Sequence, residues 1–116
     1  MIHMLSSFDL KPGQALDVFQ SDYAEFVADL KEAEMVVDAG PLGKRVADTP
    51  MDTDEDRDHS WFSILTFRDR AQLDAAYAYI EARQNPSTTS HIRMYRRTTN
   101  SIFLCWEDLP TEKDAP

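Results

Sequence analysis

The sequence predicts an α+β domain of the order βαββαβ, an antiparallel sheet with both helices packed on one of its faces. Three observations point there. HSWFSILTF (59–67) and SIFLCWEDL (101–109) are apolar in both alternating registers, as strands that are covered on two sides must be. Residues 13–33, and again the stretch from Asp69 to just before Asn85, repeat apolar residues at intervals of three and four, the period of a helix with one buried stripe. The elements also come in the order strand, helix, strand, strand, helix, strand, which commonly closes as one sheet under one layer of helices.

Taken in order, IHMLSSFDL (2–10) reads as a strand, with Ile2, Met4, Leu5 and Phe8 among serines. Pro12 suits a first helical turn, because the N–H it lacks would be unpaired there anyway. Leu16, Phe19, Tyr23, Phe26, Val27 and Leu30 then form the buried stripe of a helix over 13–33, and Asp17, Asp22, Glu25, Asp29 and Glu32 read as its solvated face. The glycines of GPLG mark a turn before a strand at KRVADT (44–49), and Pro50 to Asp58 reads as an exposed loop, since nothing in it is cheap to bury. DRAQ (69–72) has the form of a capping box that opens the second helix, whose stripe is Leu73, Ala76, Tyr77 and Ile80. PSTTSHIRMYRRTT (86–99) reads either as a short helix capped by Ser87 or Ser90 or as an ordered link. The last strand leads to a polar tail, 110–116, so the expected domain is 1–109.

At 116 residues the chain has room for a single modest core. A formal charge of −9 and the absence of a basic stripe argue against nucleic acid as a partner. No apolar run approaches a membrane span, no basic leader precedes an apolar core, and the single cysteine, Cys105, fits a reducing compartment; a cytoplasmic setting is the expectation.

Helices can cover only one face of the sheet, yet both long apolar strands offer side chains, tryptophans included, to two faces. Leaving the second face in water would expose a patch larger than a monomer normally carries, so a homodimer packed sheet against sheet is expected. With LDVFQSDYAEFVADL, HSWFSILTFRDRAQLDAAYAYI and SIFLCWEDL in this order, the chain resembles the dimeric α/β-barrel superfamily over about residues 1–109. That superfamily pairs ferredoxin-like chains and includes antibiotic-biosynthesis-type monooxygenases, EthD-like, NIPSNAP-like and chlorite-dismutase-like proteins. The resemblance implies a ferredoxin-like dimeric barrel, with a small organic ligand in many members and no metal or organic cofactor in some. It brings no catalytic pattern that maps onto this chain residue by residue.

Several side chains carry potential chemistry. The acidic run DTDEDRDH (52–59) fails as a calcium loop, because counting from Asp52 puts Arg57 where glycine is required and Ser63 where the bidentate glutamate belongs. His3, His59 and His91 are too scattered for a metal motif; each is a candidate general base, although a lone histidine is more often structural. No metal or cofactor is expected. Trp61, Phe103 and Trp106 are candidates to line a ligand cavity, with Arg93, Tyr95 and Arg96 beside it. The arginines of HIRMYRR either receive an anionic group or pair with acids of the first helix. Cys105, inside a strand, reads as a small apolar group. Two functions remain open. One is a dimeric domain that binds a small apolar or aromatic ligand, or serves purely for assembly. The other is a cofactor-independent oxygenase or isomerase that uses a histidine as base.

Overall fold

The structure, a computed structural model, describes residues 1–82 and 86–110, the side chains of 86–88 excepted. Strand β1 (Ile2–Leu10) is central and antiparallel to both β4 (Trp61–Phe67) and β5 (Thr98–Glu107). Two short strands, β2 (Asp38–Ala39) and β3 (Gly43–Lys44), pair with the outer edge of β4. Helices α1 (Leu16–Glu32), α2 (Arg70–Glu81) and α3 (Pro86–Tyr95) complete the chain. This is the ferredoxin-like arrangement, with the second strand of the βαββαβ order split in two and a third helix added.

Register assigns the faces. Ile2 lies opposite Phe67, Met4 opposite Leu65, Ser6 opposite Ser63 and Phe8 opposite Trp61, which sets these residues under the helices. The alternate set, with His3 opposite Thr66 and Trp106, and Leu5 opposite Ile64 and Leu104, forms the other face. The core lies between sheet and helices, where Phe8, Phe19, Phe26, Leu30, Leu65 and Phe67 are all buried. Each contributes about 1.5–3 kcal/mol by leaving water.

Several local expectations are corrected. Pro12 does not open α1: it sits with Gly13 in a turn closed by Gln14 N–H donating to the Lys11 carbonyl at 3.1 Å, and Gly13 takes φ +85°. Proline followed by a positive-φ glycine is the chemistry of a type II turn, so the helix begins only at Leu16. KRVADT is not a strand beyond Lys44. Its arginine instead turns to the following loop, and the edge pairing is made by residues with no alternating pattern, Asp38, Ala39 and Gly43. The capping box forms with one change: Asp69 Oδ1 accepts from Gln72 N–H at 2.8 Å, while Gln72 Oε1 reaches back to the N–H of Arg68 rather than of Asp69.

The acidic face of α1 is the largest correction. Asp22 is buried, and Asp22, Glu25 and Asp29 are the docking stripe for α3 and the turn that follows it. Ser90 Oγ donates to Asp29 at 2.7 Å, Arg93 Nη1 to Glu25 at 2.7 Å, and Arg97 Nε to Asp22 at 2.7 Å. Ser90 therefore lies inside the helix and is not its cap, while the alternative cap, Ser87, and the 111–116 part of the expected tail lie outside the described side chains.

Candidate functional site

The candidate site is the gap the core leaves between sheet and helices, a cavity of about 130 Å³. Its floor comes from β1 and β4, where the opposed pair Ser6 and Ser63 sets two buried hydroxyls among Met4, Leu65 and Phe67. Its roof comes from the buried stripes of three helices, including Tyr23, Phe26 and Leu30 of α1, Leu73 and Ala76 of α2, and His91, Met94 and Tyr95 of α3. The wall is almost wholly apolar with a few polar atoms, the usual make-up of a small-molecule site.

A row of rings crosses the cavity. Phe26 and His91 have centroids 5.3 Å apart and tilted by 50°, His91 and Tyr95 stack at 5.5 Å, and Tyr95 and Phe103 stack at 6.2 Å. Burial pushes the His91 imidazolium below the usual histidine range, opposed in smaller part by the negative charge of Glu81, so the ring enters neutral solution as a base with one lone pair to offer. Tyr23 is held the opposite way: burial raises its phenol above the ordinary value against a hydrogen bond from Ser63, which keeps it a neutral hydroxyl. That hydroxyl also donates, at a long 3.4 Å, to the Gly40 carbonyl beside β2. The arrangement pairs a neutral base with neutral hydroxyl groups in an apolar recess whose mouth is bordered by the exposed rings of Tyr77, Tyr95 and Phe103.

The structure scatters the sequence-derived candidates over several places. His91, Tyr95 and Phe103 line the cavity. His3 and Trp106 lie on the opposite sheet face, their rings 5.1 Å apart. His3 is held there between Thr66 Oγ1 and Asp108 Oδ1, each 2.9 Å away, an arrangement that fastens the start of β1 to the end of β5. His59 is buried beside a bulge in the β1–β5 pairing, where Asn100 adopts φ +56°, and Nε2–H donates to the Asn100 carbonyl at 2.6 Å. Its Nδ1 is buried without a partner among the described residues. Trp61 packs half-buried against the core, Arg93 serves α1, and Arg96 is exposed. Cys105 is exposed rather than packed, because β5 is the outer strand on its side of the sheet.

Tyr23, Ser6, Ser63 and Arg45 escaped the sequence reading. Tyr23 had a signal, since a tyrosine on a buried helical stripe carries a hydroxyl inside with it. Ser63 had a weaker one, as a small polar residue in phase with Trp61, Leu65 and Phe67. Arg45 organises the acidic loop that follows β3. It grips both oxygens of Asp52 at 2.8 Å, donates to the Asp54 carbonyl at 2.8 Å and bonds the Arg57 carbonyl. Asp54 in turn receives the N–H groups of Asp56 and Arg57. The loop is thus wound about a guanidinium rather than merely hydrated. Among the described residues, no three His, Cys, Asp or Glu side chains gather as a metal site. No helix there is long and apolar enough to cross a membrane.

No family model matches the sequence, and no curated protein matches it significantly. Solved structures do match in fold. The protein At3g17210 from Arabidopsis thaliana is similar at a TM-score of 0.74 with 9% identity, over 97% of this chain and 99% of that one. A dimeric ferredoxin-like protein of unknown function from Jannaschia sp. aligns at 0.66 with 15% identity, over 92% and 98%. SnoaB, a cofactor-independent oxygenase from Streptomyces nogalater, aligns at 0.60 with 15% identity, over 96% and 95%. At such identities the likeness concerns the ferredoxin-like fold.

Proposed function

We propose that this chain works in the cytoplasm as a homodimer joined through the open faces of its sheets, and that each subunit binds a small apolar or aromatic molecule between sheet and helices. The apolar cavity with His91 in its wall carries the binding part. The uncovered apolar sheet face carries the dimer part: Ile64, Leu104 and Trp106 are 38%, 60% and 44% exposed on it, which is unfavourable for a subunit alone. The dimeric state of the Jannaschia protein is in keeping with this. Saturation-transfer NMR with small aromatic probes tests the cavity. Binding is expected in the wild type and should disappear in Ala76→Leu, which fills the space from α2; probes that bind the variant equally well would place the site elsewhere.

One observation favours a second reading as an enzyme. A histidine kept neutral by burial beside an apolar cavity is equipped to take a proton from a weakly acidic O–H or C–H, and Tyr23 and Ser63 could donate to the anion that results. An isomerase would return the proton at another carbon. An oxygenase would pass the anion's electron density to dioxygen, and SnoaB shows that this fold can host an oxygenase without a cofactor. Proton exchange into a bound enolisable ketone, followed in deuterium oxide, tests it: exchange should drop at least tenfold in His91→Gln, and exchange unaffected by that change would remove His91 from the chemistry.

A further inference from the structure

The cavity's size, charge and ring geometry say more about what it accepts; this rests on the reading of the cavity as the binding site. A dry apolar cavity of about 150 Å³ takes up a benzene ring. At about 130 Å³ this one is no larger, so its inner part holds one ring with small substituents, and a fused second ring has to lie in the mouth beside the exposed rings of Tyr77, Tyr95 and Phe103. Charge narrows the choice further. Among the described residues no Asp, Glu, Lys or Arg lines the cavity, and of the arginines on and after α3, Arg93 is bound to Glu25, Arg97 to Asp22 and Gln14, and Arg96 is exposed. A carboxylate entering this space would lose its hydration with no cation to meet it, and Glu81, close enough to act on His91, would repel it.

Within the wall, Phe26, His91, Tyr95 and Phe103 offer ring faces and edges to a planar guest. Among the described residues no hydrogen bond engages the ring nitrogens of His91, so its lone pair is open to a donor on the guest. We infer that the ligand is an uncharged one-ring compound whose hydroxyl, phenolic or enolic, donates to His91. Carboxylates are refused by the same wall, and fused-ring compounds enter it by one ring only.

A calorimetric panel of p-cresol, toluene, 4-methylbenzoate and anthracen-2-ol against the wild type decides size, charge and hydroxyl separately. p-Cresol is expected to bind about tenfold or more tightly than 4-methylbenzoate or anthracen-2-ol. It should also exceed toluene by about two- to tenfold, the range of one neutral hydrogen bond. In His91→Phe, which keeps the ring row, p-cresol and toluene should become equal. If anthracen-2-ol or 4-methylbenzoate binds as tightly as p-cresol, or toluene matches p-cresol in the wild type, the inference falls while the cavity remains the site. If every probe binds Ala76→Leu as well as the wild type, or none binds the wild type, the cavity reading falls with it. The wild-type panel alone settles size and charge should His91→Phe fail to fold.

Discussion

The two faces of the sheet both carry large apolar residues, and these meet opposite fates. Under the helices, Ile2, Phe8, Leu65 and Phe67 are at most 7% exposed; on the other face Leu104 is 60% and Trp106 44% exposed. Along β4 and β5 the faces differ less in apolarity than in what the chain supplies as cover, while β1 keeps Ile2, Met4 and Phe8 for the helices and turns His3, Ser7 and Asp9 the other way. Alternating apolar residues therefore state how much cover a sheet wants, and the helices' stripes state how much it gets. The difference is the surface left for a partner, whereas the covered side, packed by three helices of unequal length, leaves its shortfall as a cavity.

Substitutions on the two faces should accordingly report different things. The largest effect belongs to the covered side. Leu30→Ala, at a fully buried position, should destabilise the subunit by about 2–5 kcal/mol in chemical denaturation. Also on that side, Arg97→Met should cost about 2 kcal/mol, since it leaves Asp22 buried and unpaired. An unchanged midpoint would mean that α3 is not held by the acids of α1. On the open face, Leu104→Asp should leave subunit stability within about 1 kcal/mol yet convert the proposed dimer to a 13.3 kDa species in sedimentation. A wild type that already sediments at that mass would erase the distinction between the faces.

The smallest expected effects are those of pH. The folded-state value of His91 is depressed below 6.5, so in acid the unfolded chain takes its proton first. Stability should therefore fall as pH drops below about 6.5, and His91→Phe should flatten that slope in thermal melts. Asp52 and Asp54 have folded values lowered chiefly by their hydrogen bonds from Arg45 and Arg57, so their contribution is present above the ordinary aspartate value of 3.8 and is lost as pH falls through the lower folded value. Protease cutting between 50 and 58 should rise there, separately from the His91 transition.

Much of this architecture was legible in the sequence, because long elements announce themselves by period: α1, β4, α2 and β5 all fall where their apolar repeats put them. The short edge strands did not, since two residues hold no pattern and their pairing depends on backbone bonds to β4 alone. The candidate site was legible only in part. His91, Tyr95 and Phe103 were named, but nothing in the sequence could rank His91 above His3 and His59, because the difference is one of facing: His91 sits under α3, His3 on the outer sheet face and His59 at a bulge. The acids of α1 were taken for a solvated face because a carboxylate's partner does not show in a single helix's period, although the arginines of HIRMYRR were read as meeting either an anionic group or those acids; Arg93 and Arg97 meet the acids. The clue was there in pairs: 22, 25 and 29 on one segment match 97, 93 and 90 on the other, in reversed order, as two antiparallel helices require.

Those three contacts divide α3 into two independent jobs. Ser90 and Arg93 flank His91 in sequence, and with Arg97 they grip α1 by their polar ends, while His91, Met94 and Tyr95 face the cavity. The helix is thus indexed from one side and equipped from the other, like a tool bit held by its shank. Tyr95, exposed at the cavity's mouth, is free to change identity, and with it the guest, without loosening that grip, whereas Met94 is also part of the core.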